Sequence, residues 1–131
     1  MILFCCDNNS ARSPMAEAIC RHFEPDLAVQ SAGAYSSHVR SDVKRVLAEI
    51  DVDASGLRSK DLFGVDFEWV EEVILLCSDF EAPVIPKRYA VRQWALPDPL
   101  CAPEEERRES YRALRDDLMV RIPKLLNELG G

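Results

Sequence analysis

The chain has 131 residues, 47% hydrophobic and 30% charged, with a formal net charge of −7. This is the length of one domain, able to bury about two-thirds of its unfolded surface. The balance is globular rather than disordered or fibrous, and no apolar run nears the roughly eighteen residues of a membrane helix. The acidic excess argues against broad nucleic-acid binding, and five cysteines without regular spacing argue against a secreted disulfide framework. With no basic region before the first apolar run there is no signal-peptide pattern, so a soluble cytoplasmic protein of one domain, 1–131, is expected.

Ile2-Leu3-Phe4-Cys5 reads as a strand, and Cys6-Asp7-Asn8-Asn9-Ser10-Ala11-Arg12-Ser13 follows as a loop leading into a helix over Ser13 to Phe23. Pro14 lies near the first helical position, where proline is favoured. A loop whose backbone N–H groups from Asp7 to Ala11 turn inward makes a nest for a tetrahedral oxyanion, and the helix adds its positive end. Cys6 then lies beneath the central atom of the anion, and Arg12 offers a planar fork for two of its oxygens. A thiol beside Arg at a helix N-terminus is expected below its ordinary value, as a thiolate nucleophile, with Ser13 donating to the sulfur. Asp7, Asn8, Asn9, Ser10, Ala11, Arg12 and Ser13 are the oxyanion-binding candidates. The competing reading makes Cys6 a small buried hydrophobe; Cys5, facing the other way along the strand, takes that reading.

In the first helix Met15, Ile19 and Phe23 share an inner face, leaving Glu17, Arg21 and His22 to solvent. Pro25 ends it. Leu27 to Ser31 reads as a second strand turning at Ala32-Gly33, and a second helix begins at Ser41, its cap, with Val43, Val46, Leu47 and Ile50 inward. Asp53 to Phe67 reads as loop with a helical turn near Lys60 to Phe63. Trp69 to Cys77 ends in an apolar run suited to a strand buried on both faces, with Cys77 at its carboxyl end. Tyr89 to Trp94 is a last short strand. From Pro103 to Leu129 the spacing of Tyr111, Leu114, Leu118, Ile122, Leu125 and Leu129 predicts a long amphipathic helix with a solvated charged face, kinked or divided at Pro123. Alternating strands and helices give an α/β fold, a parallel sheet of about four strands with helices on both faces. Ligands of such sheets lie at the carboxyl ends of the strands, which gathers Cys6, Cys77 and the Pro97-Asp98-Pro99 loop. Asp98 is the candidate general acid, its alternative being an ordinary turn residue. His22 and His38 lack zinc-site spacing, and no metal is assigned.

Cys6-Asp-Asn-Asn9-Ser-Ala-Arg12-Ser13-Pro-Met-Ala-Glu17, Gln30-Ser31-Ala-Gly33, Ser59-Lys60-Asp61, Cys77-Ser-Asp and Trp94-Ala-Leu-Pro-Asp98-Pro99 resemble the low-molecular-weight tyrosine phosphatase superfamily, closest to its thioredoxin-coupled arsenate reductases. The resemblance implies a flavodoxin-like four-stranded parallel sheet, Cys6 as nucleophile, Arg12 as oxyanion clamp, Asp98 as general acid and Asn9 as keeper of the loop's shape. For a reductase it further implies that Cys77 attacks the Cys6 sulfur, forming an intramolecular disulfide and releasing arsenite. No tightly bound cofactor is implied; the electrons come from a transient thioredoxin-like partner, a glutaredoxin or a small thiol. The alternative within the superfamily is a phosphatase of phosphomonoesters, and outside enzymes an anion-sensing module. Leu100 after Asp98-Pro99 stands where tyrosine phosphatases commonly carry aromatics, which favours the reductase. Val84 stands where reductases with a surface relay carry a third cysteine, leaving Cys101 or direct reduction of Cys6 as substitutes; Cys20 and Cys101 are otherwise unused thiols. Asp7-Asn8 replaces the usual Thr-Gly and adds negative charge beside an anion site. Some members bind potassium beside the loop, at positions comparable to Asn9, Glu17, Ser31, Ser59 and Asp61.

Overall fold

A computed structural model describes residues 1–7, 9–77 and 85–130. Four strands, β1 (Ile2–Cys6), β2 (Val29–Gly33), β3 (Glu72–Leu75) and β4 (Val91–Gln93), form a parallel sheet in the order β2-β1-β3-β4. The chain leaves β1 for one edge and returns past it to β3, so the order reverses at β1, and the carboxyl end of that strand is where such sheets hold ligands. Cys6, the last residue of β1, pairs with Gly33 of β2, and Cys5 pairs with Leu75 of β3.

The pleat divides the core. Ile2 and Phe4 of β1 and Ile74 of β3 face three helices, α1 (Arg12–Phe23), α2 (Ser41–Ala48) and α3 (Arg107–Glu128), which pack there through Met15, Ile19, Val46, Leu47, Leu118 and Ile122. Leu3, Cys5, Val73 and Leu75 face the other way, toward Val65, Val70 and two single-turn 3-10 helices at Leu62–Gly64 and Phe67–Trp69. Both faces of the sheet therefore carry helical cover, and β1 is buried along its whole length, as a central parallel strand is.

Several boundaries differ from expectation for physical reasons. Ala32 and Gly33 belong to β2 because Gly33 pairs with Cys6 and donates its N–H to Lys60 O. The predicted turn at Lys60 to Phe63 falls at Leu62–Gly64, where the Asp61 carboxylate accepts the Phe63 N–H. Arg40, not Ser41, is the N-cap of α2, and no side chain caps that end. Its inward residues are as read, and Asp51 takes up the left-handed turn after it with φ 58°. Phe23, expected inward, is exposed at the end of α1 against the edge of His22. The strand expected over Trp69 to Cys77 is confined to Glu72–Leu75, and that over Tyr89 to Trp94 to Val91–Gln93. A 3-10 turn at Glu104–Glu106 leads into α3. That helix is one element through Pro123, with Ile122, Leu125 and Leu126 buried on either side of the missing N–H. Arg115, assigned to a solvated face, is buried and donates to Val46 O and Glu49, tying α3 to α2.

Candidate active site

The segment between β1 and α1 is held by its own hydrogen bonds. Asp7 O accepts the Tyr35 N–H at 3.2 Å and Ser10 O accepts the Arg40 N–H at 3.1 Å, so two carbonyls of the loop turn outward. In a trans peptide the N–H points opposite its carbonyl, which aims the Ala11 N–H the other way. Asn9 adopts φ 50°, a left-handed conformation Asn tolerates better than most residues. Its side chain pins that bend: Asn9 Oδ1 accepts the Lys60 N–H at 2.7 Å and Nδ2 donates to Ser13 Oγ at 2.8 Å. Ser13 Oγ lies 2.8 Å from Cys6 Sγ.

These contacts fix the direction of the relay. Since Lys60 N–H requires the Asn9 oxygen on its side, the amide must donate to Ser13. The hydroxyl accepts from Asn9 through one lone pair and is free to turn its proton to the sulfur when Cys6 is a thiolate. A hydrogen bond aimed at sulfur stabilises the thiolate. Asn9 and Ser13 are brought against the Cys6 sulfur, and Lys60, whose backbone holds Asn9, is a participant the sequence did not reveal.

Arg12 is the first residue of α1 and is buried. Nη1 donates to Leu96 O at 3.0 Å, and Nη2 lies 3.3 Å from Asp7 Oδ1 and 3.8 Å from Asp98 Oδ2. Asp98 serves two geometries at once. Oδ1 accepts the Leu100 N–H at 3.0 Å and caps a 3-10 turn at Pro99–Cys101, while Oδ2 faces Arg12. The turn reading is present in the capping contact, and the same side chain also approaches Arg12. Beyond that turn, exposed Cys101 lines a cavity of about 570 Å³ with Leu96, Pro97, Asp98 and Leu114.

Burial is the largest influence on the Cys6 thiol and pushes it above its ordinary value. The Ser13 hydroxyl, the Ser13 backbone N–H and Arg12 pull it down, and Asp7 pushes it up. The expected depression of the thiol is corrected accordingly: the sulfur is almost sealed from water, and a carboxylate sits against the guanidinium that would have stabilised its charge. Cys5 is also pushed up, by burial first and then by the charges of Cys6 and Cys77. Cys77 is buried just past the end of β3, where its carbonyl accepts from Gln93 at 3.0 Å. Asn8, Val84 and the Phe80 to Pro83 segment lie outside the described residues.

Glu17 reverses its expectation, being 2% exposed. The small side chains Ala16, Ala18 and Cys20 around it let α1 sink against the sheet and α3 so that nearly every residue from Arg12 to Cys20 is covered. Its Oε2 pairs with Arg21 at 2.7 Å. Glu17 Oε1 and Ser31 Oγ are buried oxygens with no hydrogen-bond partner among the described residues, the donor chemistry a hard cation takes. Asn9, Ser59 and Asp61 instead have a side-chain oxygen occupied by a backbone N–H from Lys60, Ser37 and Phe63. Among the described residues no group of three His, Cys, Asp or Glu is arranged to hold a metal, and we assign no ion.

A strand-end thiol, a left-handed Asn, a helix-borne Arg and a facing carboxylate are thus gathered at one end of a four-stranded parallel sheet of the α/β class. The chain belongs to the low molecular weight phosphotyrosine protein phosphatase family, whose model matches residues 1–131. It is 31% identical to an arsenate reductase of Shouchella clausii, over 95% of this chain and 93% of that protein. It is 30% identical to a protein-arginine-phosphatase of Geobacillus stearothermophilus, over 98% and 95%. Its fold superposes on a solved arsenate reductase in the phosphate binding state with a TM-score of 0.82, at 26% identity and covering 97% of this chain and 96% of that one. No helix among the described residues is long and apolar enough to cross a membrane.

Proposed function

We propose that the chain is a thiol-dependent arsenate reductase in which residues 6–13 bind the oxyanion, Cys6 attacks it and Cys77 completes the reduction. The observation carrying this reading is the position of the second thiol. Cys5 is in register with Leu75, so Cys6 and Cys77 stand one and two residues beyond the same rung, at the carboxyl ends of adjacent strands.

In this reading arsenate rests on the loop with Arg12 gripping its oxygens. A sulfur–arsenic bond forms from Cys6 as an arsenic–oxygen bond breaks, and Asp98 delivers the proton with which that oxygen leaves as water. The Ser13 hydroxyl and backbone N–H steady the sulfur as it loses its proton. Cys77 then attacks the Cys6 sulfur. The sulfur–arsenic electron pair stays on arsenic, which is reduced by two electrons and departs as arsenite, and the oxidation is left as a Cys6–Cys77 disulfide. Two thiols of an external reductant, from a thioredoxin-like protein, a glutaredoxin or a small thiol, are oxidised to a disulfide in restoring both groups, and no bound cofactor takes part. One catalytic domain spans 1–131, and a reducing cytoplasm suits its thiols.

A second reading, hydrolysis of phosphomonoesters through a phosphocysteine, is favoured by the arginine-phosphatase relative and by Val84 at the third redox position. It uses Cys6, Arg12 and Asp98 unchanged and leaves Cys77 idle. Assaying arsenite formation with a thiol reductant and p-nitrophenyl phosphate hydrolysis on one preparation separates them. For a reductase, Cys77→Ser abolishes arsenite formation; turnover untouched by that change, with fast ester hydrolysis needing no reductant, establishes the phosphatase instead.

A further inference from the structure

Asp7 is the residue of the loop whose chemistry opposes the loop's task. Its Oδ1 lies 3.3 Å from Nη2 of Arg12, the same nitrogen that faces Asp98. The guanidinium is buried, while the Asp7 side chain keeps 22% exposure. Nη1 meanwhile is directed at Leu96 O. The end of the fork turned toward the loop therefore already meets a carboxylate, and that carboxylate has a route to water.

We propose that Asp7 is a specificity-determining residue, a tethered carboxylate that competes for the Arg12 clamp and that a tetrahedral oxyanion must displace in order to bind. The inference deepens the function proposed above and rests on its reading of residues 6–13 as the oxyanion site. A planar carboxylate ligand exchanges with Asp7 like for like and gains nothing at Arg12. An anion with three oxygens facing the loop replaces Asp7 at the guanidinium and offers further oxygens to the backbone N–H groups and the helix end. The substrate class so selected is tetrahedral oxyanions, arsenate or a phosphomonoester, over carboxylates. The backbone of Asp7 is held by Tyr35, and the displacement proposed is a rotation of its partly exposed side chain toward solvent.

The test measures binding of inorganic phosphate by calorimetry to the full chain and to Asp7→Asn, Asp7→Ser and Asp7→Glu, at one pH and ionic strength. A second readout is the pH profile of Cys6 alkylation. Asp7→Asn and Asp7→Ser should bind phosphate about tenfold to a hundredfold more tightly, the range for releasing a charge-assisted contact to the ligand, and their alkylation profiles should move to lower pH. Asp7→Glu, which keeps the charge, should restore the weaker binding and the original profile. A merely structural role for Asp7 would leave phosphate binding no tighter in the neutral variants. If the unaltered chain binds phosphate and the neutral variants bind it equally or less tightly, the competitor role is overturned while the oxyanion site stands. If neither the unaltered chain nor any folded variant binds phosphate, the oxyanion site itself is refuted and this inference goes with it. The serine variant guards against a folding defect peculiar to the asparagine change.

Discussion

Replacing Ser13 by alanine removes the hydroxyl at the centre of the relay while leaving a good helix former in the first turn of α1. Ser13 Oγ sits 2.8 Å from both Cys6 Sγ and Asn9 Nδ2, so the change deprives the thiolate of a buried donor and leaves an amide N–H without its acceptor. A hydrogen bond to a charged group contributes about 1.5–3 kcal/mol, and one pKa unit corresponds to about 1.36 kcal/mol. The Cys6 titration should therefore rise by about one to two units, on top of the upward push that burial already gives it. The assay is the rate of Cys6 alkylation by iodoacetamide against pH, followed by peptide mass spectrometry. Below the titration the thiolate fraction, and hence the rate, should fall about tenfold to a hundredfold. The direction is opposite to that expected for Asp7→Asn, which makes the two variants mutual controls. An alkylation profile unmoved by Ser13→Ala would refute the inference that Ser13 donates to the sulfur.

Asp98→Asn should keep the turn, since the side-chain oxygen still accepts the Leu100 N–H. Removing the proton donor should then lower turnover by about 10²–10⁴-fold, while phosphate binding by calorimetry is retained or improved. Tyr111→Phe should stabilise the fold by about 1 kcal/mol in urea unfolding, because Tyr111 Oη is buried without a partner among the described residues and deleting an unsatisfied hydroxyl recovers its desolvation penalty. Stability should also decline in alkali. Burial raises Cys20 from 9.0 to about 11, so between those values the unfolded chain has released a proton that the folded chain retains. The contribution is complete below pH 9 and lost as pH rises through about 11. Unfolding midpoints should fall across that window, and less steeply in Cys20→Ala.

Much of this was readable in advance where one strong local signal had no competitor. The apolar run before Cys6, Pro14 in the first helical turn and the spacing of Tyr111, Leu118 and Ile122 each pointed one way, and the parallel sheet of about four strands followed from strands alternating with helices. Glu17 was misread because helical spacing reports which residues share a face, and α1 buries almost its whole circumference between the sheet and α3. α3 is not divided at Pro123 because packing on both sides holds it as one element across a missing hydrogen bond. In the site, residue types were legible and their partners were not. The Lys60 N–H on Asn9 and the Leu96 carbonyl on Arg12 are main-chain groups from 51 and 84 residues away, and main-chain groups leave no trace in side-chain identity. The net effect on Cys6 was also beyond the motif. Donors to the sulfur could be counted from the loop, but the depth of burial and the turn of Asp7 toward Arg12 come only from the fold.

Equimolar arsenate added to the fully reduced chain, with no external reductant, puts the thiol chemistry to a single trial by mass spectrometry and arsenite assay. The expected result is arsenite together with a protein lighter by two hydrogen atoms, its bridge mapped to Cys6 and Cys77. A chain recovered at unchanged mass, with both thiols still open to alkylation after unfolding and no arsenite formed, would contradict the proposed reduction.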